Sequence, residues 1–363
     1  MDNDYGYPNA RLRAMKSRLL SRSAYAELLS EATVEDVVAN LVHTVYQPAL
    51  EAALIKATGW ECLSEGLRNH LGQTLAKITG FFGGDSQRLW KVLIGRWQVY
   101  NLKTILRGQA NNIPANEILN ALIPAGDLKE SDFSRLVQQT SVRATVDLLA
   151  TWNHPLARSL LEAMPAYAQR ADLAVLELAL DRASYRSAFE TLSDVDDEDN
   201  AALVRWVLRR EIDATNLLTV IRLSASGMSG ARFAAHYGTT LPEQVLIQGG
   251  GPATQRLMEY KEIPTVEQVV RDLHNTEFGA ALTGAEAGYN EKHSVAGFED
   301  GIEGQMSRAD YGLFGGDPLS IGVAVAYLAA LVNEVRNLRL IGRGKSTGWS
   351  RENIEKELRL WPS

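Results

Sequence analysis

Three segments of this chain align with one another without gaps, and this internal repetition constrains the fold more than any other feature of the sequence. The segments span residues 98–118, 213–233 and 334–354, and each contains an Asn-Leu pair with an arginine six residues after the asparagine. The asparagines are Asn101, Asn216 and Asn337, and the arginines are Arg107, Arg222 and Arg343. Such repetition indicates an architecture built from similar structural units.

Apolar residues recur at helical spacing in each segment. In the first segment they are Val99, Leu102, Ile105 and Leu106, and the other two segments repeat this stripe. The spacing predicts one helix with a buried stripe per segment. A turn-forming pair follows each stripe, and a second helix is predicted after it. The pairs are Asn111-Asn112, Ser226-Gly227 and Thr347-Gly348.

A second repeated element lies upstream of the long predicted helices. It reads TVEDVVANLVHT from Thr33, SVRATVDLLAT from Ser141 and TVEQVVRDLHNT from Thr265. Each copy begins with a hydroxyl residue suited to capping a helix N-terminus, and Asp36 and Gln268 complete capping boxes in the first and third copies. Each repeat therefore contains several helices and spans about 115 to 120 residues, which is the size of a domain.

Because strand-like alternation is scarce, we predict an all-α fold of three similar helical subdomains with approximate threefold repetition. The predicted boundaries are a basic N-terminal segment at 1–24 and helical repeats at 25–128, 129–253 and 254–363. Glycine-rich or acidic stretches at 81–86, 192–200 and 313–320 predict loops. Residues 285–305 are also interpreted as a loop, and it has no aligned counterpart in the other repeats.

The tripeptide at 344–346, Gly-Lys-Ser, has the order that ends a phosphate-binding P-loop. The first glycine of that motif is missing, and residues 318–343 show helical rather than strand spacing. In the aligned segments Lys345 is replaced by Gln109 and Ser224. We therefore interpret the glycines of this region as a helix end and turn, not as a nucleotide site.

Composition excludes several functional classes. The net charge of −7 argues against a dedicated nucleic-acid-binding protein. The single cysteine, Cys62, cannot form an intrachain disulfide and is expected in the core. The longest apolar stretch, 321–332, is too short to cross a bilayer, and the N-terminus has no secretory signal, so we expect a cytoplasmic protein without a transmembrane segment.

No pattern in the sequence predicts catalysis or a cofactor. The six histidines form neither an i, i+4 ligand pair nor an H-E-x-x-H motif, so no metal site is predicted. No nucleophile elbow of the G-x-S-x-G type follows a strand. We therefore predict that the chain is not an enzyme and holds no cofactor.

The repeated polar residues have two interpretations. Each asparagine, together with the residue three positions earlier (Gln98, Asp213 or Glu334), lies at the margin of the buried stripe. Such a pair either satisfies neighbouring backbone and side chains in a helix interface or contacts a partner protein. The repeated arginines point away from the stripe, which makes them solvated or available to another chain.

Two longer stretches carry a resemblance to a known family. The sequences YGYPNARLRAMKSRLL at the N-terminus and DPLSIGVAVAYLAALVNEVRNLRLIGRGK at 317–345, with the Asn-Leu repeats, resemble the C subunit of the archaeal and bacterial A/V-type rotary ATPases. The eukaryotic counterpart is the d subunit of the vacuolar proton pump. The family's motif positions are matched at Tyr7, Asn9, Arg11, Arg13, Asn101, Asn216, Arg336, Asn337, Leu338 and Arg343.

This resemblance implies a funnel- or socket-shaped protein of three subdomains. It implies a position on the cytoplasmic end of the membrane proteolipid ring, with a cavity that receives the central stalk, whose subunits are of the D and F types. It also implies a protein without its own nucleotide site, which couples stalk and ring during proton or sodium transport. A helical-repeat scaffold that binds soluble protein partners stays open as the alternative.

Overall fold

A computed structural model of the chain describes residues 5–239 and 242–361. Within these ranges the chain forms nineteen α-helices, two short 3-10 turns and no β-strand. The all-α prediction is therefore confirmed. In the same ranges every helix is too short or too polar to span a lipid bilayer.

One N-terminal helix, α1 (Gly6–Lys16), precedes three sets of six helices. The first set is α2 (Arg22–Ser30), α3 (Val34–Leu41), α4 (Gln47–Leu54), α5 (Gly59–Thr79), α6 (Gly84–Ala110) and α7 (Ala115–Ala121). The second set is α8 (Glu130–Val137), α9 (Val142–Thr151), α10 (Ala157–Arg170), α11 (Ala174–Ser193), α12 (Glu198–Ala225) and α13 (Gly230–Tyr237). The third set is α14 (Pro252–Leu257), α15 (Val266–Leu273), α16 (Gly279–Lys292), α17 (Ala296–Gly312), α18 (Gly322–Ser346) and α19 (Arg351–Glu357).

The fifth helix of each set is its longest and carries the repeated asparagine. These long helices, α6, α12 and α18, contain 27, 28 and 25 residues. Their predicted apolar stripes are buried. Each long helix ends nine residues after its asparagine, even where Leu223 replaces the glycine found at 108 and 344.

Hydroxyl side chains fix the start of the second helix in each set. Thr33 Oγ1 accepts a hydrogen bond from the Asp36 amide at 3.1 Å, and Ser141 Oγ accepts one from an amide of α9 at 3.1 Å. Thr265 accepts from the Gln268 amide at 3.2 Å. Both predicted capping boxes are present. Each cap satisfies an amide that has no partner inside its helix.

The described chain divides into two compact units. One contains the residues up to Thr140 together with those from Asp310 onwards, and the other contains Ser141–Ala309. These units group helices by contact and cut across the sequence repeats, so the repeat boundaries at 25–128, 129–253 and 254–363 stay a prediction. The core of the second unit joins the apolar stripe of α12 to residues of α14–α17, including Val269, Phe278 and Phe298.

Inside each unit a long helix packs against helices of the set that follows it. Helix α12 packs against α14 and α15, which open the third set. Helix α18, in the last set, packs against α3 and α5 of the first set, and α19 packs against α2. A Cβ atom on Gly342 of α18 would lie 2.4 Å from Leu63 Cδ2 of α5, so the two helices approach closely. The last two helices of the third set are thus packed against the first set.

The prediction of a loop at 285–305 is wrong. Those residues belong to α16 and α17, which are joined by three residues with His293 in the left-handed region at φ 51°. Glycine weakens helices in isolation, but Gly301 lies where a Cβ would be 3.3 Å from that of Ala281. Phe298 and Ile302 are fully buried. Close packing therefore stabilises a glycine-rich pair of helices that local propensity disfavours.

Two of the other predicted loops, at 81–86 and 192–200, are shorter than expected. Helix α6 already begins at Gly84, and the acidic loop is reduced to residues 194–197 between α11 and α12. In both places the glycine or acidic residues cap or open a helix, as is common at helix N-termini.

Candidate functional site

The repeated asparagines hold the chain segment that follows each set of helices. Asn101 Nδ2 donates to the carbonyl oxygen of Ile123 at 2.6 Å, and the Ile123 amide donates back to Asn101 Oδ1 at 2.9 Å. Asn216 forms the same pair of bonds with Ile247, at 2.7 and 2.8 Å. It also donates to Thr254 Oγ1 at 3.0 Å. We call this arrangement, one amide side chain bonded to both polar groups of one backbone residue, an asparagine clamp.

The third clamp acts on the C-terminal segment. Asn337 Nδ2 donates to the Arg359 carbonyl oxygen at 3.0 Å, and the Arg359 amide donates to Asn337 Oδ1 at 3.1 Å. Asn333, one turn earlier on α18, donates to the same carbonyl at 2.8 Å. All three clamp asparagines are fully buried. The geometry therefore matches the first sequence interpretation, in which these residues satisfy neighbouring backbone.

The residue three positions before each asparagine holds a second point of chain. Gln98 Oε1 accepts from the Asp127 amide at 3.1 Å. The Asp213 carboxylate accepts from the amides of Gly251, Ala253 and Thr254 at 2.8, 3.3 and 3.0 Å. Those amides open α14, where a negative charge is favoured by the unsatisfied N–H groups and the helix dipole.

This contact explains two of the three glycines at 249–251, Gly250 and Gly251. A Cβ atom on Gly250 would lie 2.5 Å from Asp213 Oδ1, and one on Gly251 would lie 2.9 Å from Asp213 Oδ2. Real side chains do not fit at such distances, so only glycine lets the backbone reach the carboxylate. These two glycines therefore allow the N-terminus of α14 to approach Asp213.

Glu334 occupies the corresponding position in the third copy, but its partners lie near the N-terminus. Its Oε2 accepts from the Leu20 amide at 2.5 Å, and its Oε1 accepts from the Tyr46 hydroxyl at 2.7 Å. Only 3% of Glu334 is exposed. Burial raises the pKa of this carboxyl to about 7, although the two hydrogen bonds act in the opposite direction.

Two arginines missed by the sequence analysis complete the first two clamps. Arg68 Nη1 donates to the carbonyl oxygen of Leu122 at 3.0 Å, and Arg182 Nη2 donates to that of Leu246 at 2.6 Å. Each acceptor immediately precedes the clamped isoleucine. Their position in the sequence could have identified them, because Arg68 and Arg182 precede the asparagine of their repeat by 33 and 34 residues.

The repeated arginines lie on exposed faces of the long helices. Arg222 forms an ion pair with Glu299 of α17 at 2.8 Å. The guanidinium carbon of Arg343 lies 5.8 Å from the ring centre of Trp60 in α5, a cation–π contact. Arg107 is also exposed. In the second and third copies the arginine thus contacts the fourth helix of the following set.

Lys345 of the P-loop-like tripeptide caps another helix. Its Nζ donates to the carbonyl oxygens of Leu29, at 3.2 Å, and Glu31, at the C-terminal end of α2. The aligned Gln109 donates to the carbonyl of Leu136 at 2.9 Å, at the end of α8. Donors at this place satisfy the free carbonyls of a helix end. This is a structural role that lysine and glutamine can share.

No candidate metal centre is found in the described residues, where no three or more His, Cys, Asp and Glu side chains come together in a way that could hold an ion. The polar groups of the clamps are engaged with backbone. The clamps hold three chain segments at fixed positions beside the three long helices.

The family described as ATP synthase (C/AC39) subunit matches residues 8–357, a range that includes the three clamp asparagines and all three helical sets. The chain belongs to this family. The C/AC39 match covers both compact units, so the whole helical arrangement, and not one unit alone, corresponds to the family.

Curated relatives of this C/AC39 protein come from bacteria and archaea. The V-type ATP synthase C subunit of Deinococcus radiodurans is 28% identical over 99% of this chain and 92% of the relative. The A-type ATP synthase C subunit of Methanosarcina mazei is 26% identical, with coverage of 98% and 93%. That of Halobacterium salinarum is 27% identical, with coverage of 98% and 97%. The family assignment thus agrees with the resemblance seen in the sequence.

Proposed function

We propose that the chain is a non-catalytic subunit of the central rotor of an A/V-type ATPase or ATP synthase. In this role it joins central-stalk subunits of the D and F types to the membrane proteolipid ring, and it transmits torque during proton or sodium transport. It lies at the periphery of the membrane, on the cytoplasmic face. The names of the relatives, which are C subunits of V-type and A-type ATP synthases, support the assignment to such a complex.

The observation that carries the mechanical role is the packing of α18 and α19, the last two helices of the third set, against the first set within one compact unit. A coupling element must resist twisting, and repeats that are closed on one another deform less than repeats in an open row. We propose that the three repeats, 25–128, 129–253 and 254–363, close into a funnel around a central opening that receives the stalk.

The absence of a catalytic role is part of the proposal. Lys345, the one residue that suggested phosphate binding, donates to backbone carbonyls at the end of α2. We propose that the exposed arginines Arg107, Arg222 and Arg343 lie on surfaces that partner proteins contact. The buried asparagines Asn101, Asn216 and Asn337 act indirectly, since they hold the segments around those surfaces.

Affinity purification of the tagged chain from detergent-solubilised membranes tests the proposal. Recovery of catalytic-head, stalk and proteolipid subunits in one complex is the expected result. A matched sample carrying the three substitutions Arg107→Glu, Arg222→Glu and Arg343→Glu is expected to retain its fold but recover less of the partners. Recovery of soluble partners alone would refute the rotor proposal and favour the helical-repeat scaffold.

A further inference from the structure

The junction between the last and the first helical sets depends on one buried carboxyl group. Glu334 of α18 accepts hydrogen bonds from the Leu20 amide and from the Tyr46 hydroxyl. Leu20 lies just before α2, as Asp127, the partner of Gln98, lies just before α8. The same position in two copies therefore holds the segment that leads into the next set. In the third copy this segment is the N-terminal part of the chain.

Glu334 differs chemically from its counterpart in the first copy. Gln98 has a neutral side chain that cannot titrate, whereas Glu334 can gain a proton. The ionised carboxylate accepts two hydrogen bonds inside a region from which water is largely excluded, where a charge is unfavourable. The protonated group is neutral, and one of its oxygens becomes a donor. Protonation therefore changes both the charge and the hydrogen-bonding capacity of the junction.

The surroundings of Glu334 combine buried phenols with cations that are exposed or half-buried. The titratable and charged groups that face it or its partners are Tyr25 of α2, Tyr46 before α4, Tyr327 of α18, His70 of α5, Arg13 and Lys16 of α1, Arg22 of α2, Tyr311 of α17 and Arg359 after α19. The phenols of Tyr25, Tyr46 and Tyr327 are buried, and burial together with the Glu334 charge raises their pKa values. They therefore remain neutral while Glu334 titrates.

His70 does not compete for the proton. Its ring centre lies 4.3 Å from that of Tyr46, and burial lowers the pKa of His70 to about 4. The cations line a pocket of about 430 Å³ beside Glu334. Arg13 and Arg22 are exposed. Lys16 Nζ lies 4.2 Å from the ring centre of Phe314, a cation–π contact. Solvent screens the exposed charges, and burial is the largest influence on the pKa of Glu334, which it raises.

We propose that Glu334 is a proton-sensitive latch that joins the N-terminal segment to the last long helix. When the junction opens, Glu334 reaches water and regains the ordinary acidity of a glutamate. The closed junction therefore binds the proton more tightly than the open one, so protonation favours closure. As the pH rises through the pKa of about 7, the stabilisation from proton binding is lost and opening becomes more frequent. The adjoining pocket gives solvent a path to the group.

Hydrogen exchange at single amides tests this latch. The Leu20 amide reports the latch, and the Asp127 amide, bonded to the non-titrating Gln98, is the internal control. After correction for intrinsic exchange rates, the protection of Leu20 relative to Asp127 is expected to fall at least about tenfold between pH 5.5 and 8.5. In Glu334→Gln the ratio is expected to stay constant over this range. A constant ratio in the wild type, or an unchanged slope in the variant, would overturn the proposal.

A second measurement needs no variant and therefore stands even if Glu334→Gln does not fold. The carboxyl carbon of Glu334, followed by NMR in the full-length wild-type chain, is expected to titrate with a midpoint within about one unit of 7. A midpoint near the ordinary value of about 4.3 for glutamate would show that the junction does not sense protons in this range and would overturn the latch.

Discussion

The second and third asparagine clamps use the same helix geometry for different purposes. In the second copy Asp213 and Asn216 bind the segment directly downstream, which the chain itself already keeps nearby. In the third copy Asn337 binds the C-terminal segment, but Glu334 binds Leu20, 314 residues away in sequence. In the second copy the side chains reinforce a connection that the chain already makes covalently. In the third copy Glu334 holds together two segments that are far apart in the sequence.

This difference shows where the molecule should be weakest. Asp213 receives three backbone N–H groups, whereas Glu334 receives one N–H group and one hydroxyl. Bonds from several donors stabilise an ionised carboxylate, and fewer donors leave more of the burial penalty uncompensated. We therefore expect the strength of the junction at Glu334 to depend on pH.

The largest expected effect is a loss of unfolding free energy when Asn216 or Asn337 is replaced by alanine. Asn216→Ala would leave both polar groups of buried Ile247 without their partner, and we expect the free energy of unfolding to fall by about 4 kcal/mol. Asn337→Ala should lower it by about 2 kcal/mol, because Asn333 still donates to the Arg359 carbonyl and Arg359 is only half-buried, so that water can bond its amide. Urea denaturation followed by circular dichroism measures both. Equal losses would contradict the difference between the two clamps.

The next largest effect is the pH dependence of stability that Glu334 causes. The pKa of Glu334 is raised in the folded chain, so its stabilising contribution is complete below about pH 4.5 and is lost as the pH rises through about 7. Relative to Glu334→Gln, we expect the wild type to lose about 3 kcal/mol of unfolding free energy between pH 4.5 and pH 8. Denaturation curves at several pH values for both chains measure the difference. Parallel pH profiles would be inconsistent with it.

A smaller effect is expected from the side chains that cap the C-terminal ends of α2 and α8. Lys345→Ala removes a cap from α2 at the junction of last and first sets, and Gln109→Ala removes the matching cap from α8. Each should cost about 1 kcal/mol of unfolding free energy.

The lysine variant also tests the absence of nucleotide chemistry. ATP hydrolysis by a complex assembled with Lys345→Ala should be largely unchanged, because this lysine binds backbone carbonyls. Loss of hydrolysis with assembly preserved would show that Lys345 takes part in the reaction, and Gln109→Ala is the control for the loss of a cap.

The smallest effect is expected from the exposed arginines. Arg222 and Glu299 form an ion pair at the surface, where such pairs contribute little. Arg222→Ala should therefore change the free energy of unfolding by less than about 0.5 kcal/mol. Thermal denaturation is a sufficient measurement. A much larger loss would mean that this pair, and not the apolar core, joins α12 to α17.

The sequence predicted the parts of the fold that local patterns encode. The stripe around Leu102, the cap at Thr33 and the end of each long helix depend on spacing within one helix turn or two, and all are confirmed. The buried environment of Cys62 is confirmed as well. Residues 285–305 were misassigned because their glycines disfavour a helix locally, whereas the packing of α16 against α17 favours one.

The candidate site was predicted only in part. The asparagines were found by repetition, but their backbone partners lie 22 to 31 residues away, and no local pattern identifies them. Arg68 and Arg182 were missed because the sequences around them are not alike, and the two residues correspond only in their distance from the repeat asparagine. The bond between Glu334 and Leu20 joins opposite ends of the sequence, so it depends on the tertiary fold and has no signal in either segment.

An electron cryomicroscopy map of the assembled rotary complex tests the central claim most directly. The account predicts three six-helix repeats around a central opening that holds the stalk, no nucleotide in this chain, and contact of Glu334 with Leu20 where the last set meets the first. Repeats arranged in an open row, with α18 separated from the N-terminal helices, or a position of the chain outside the rotor, would contradict it.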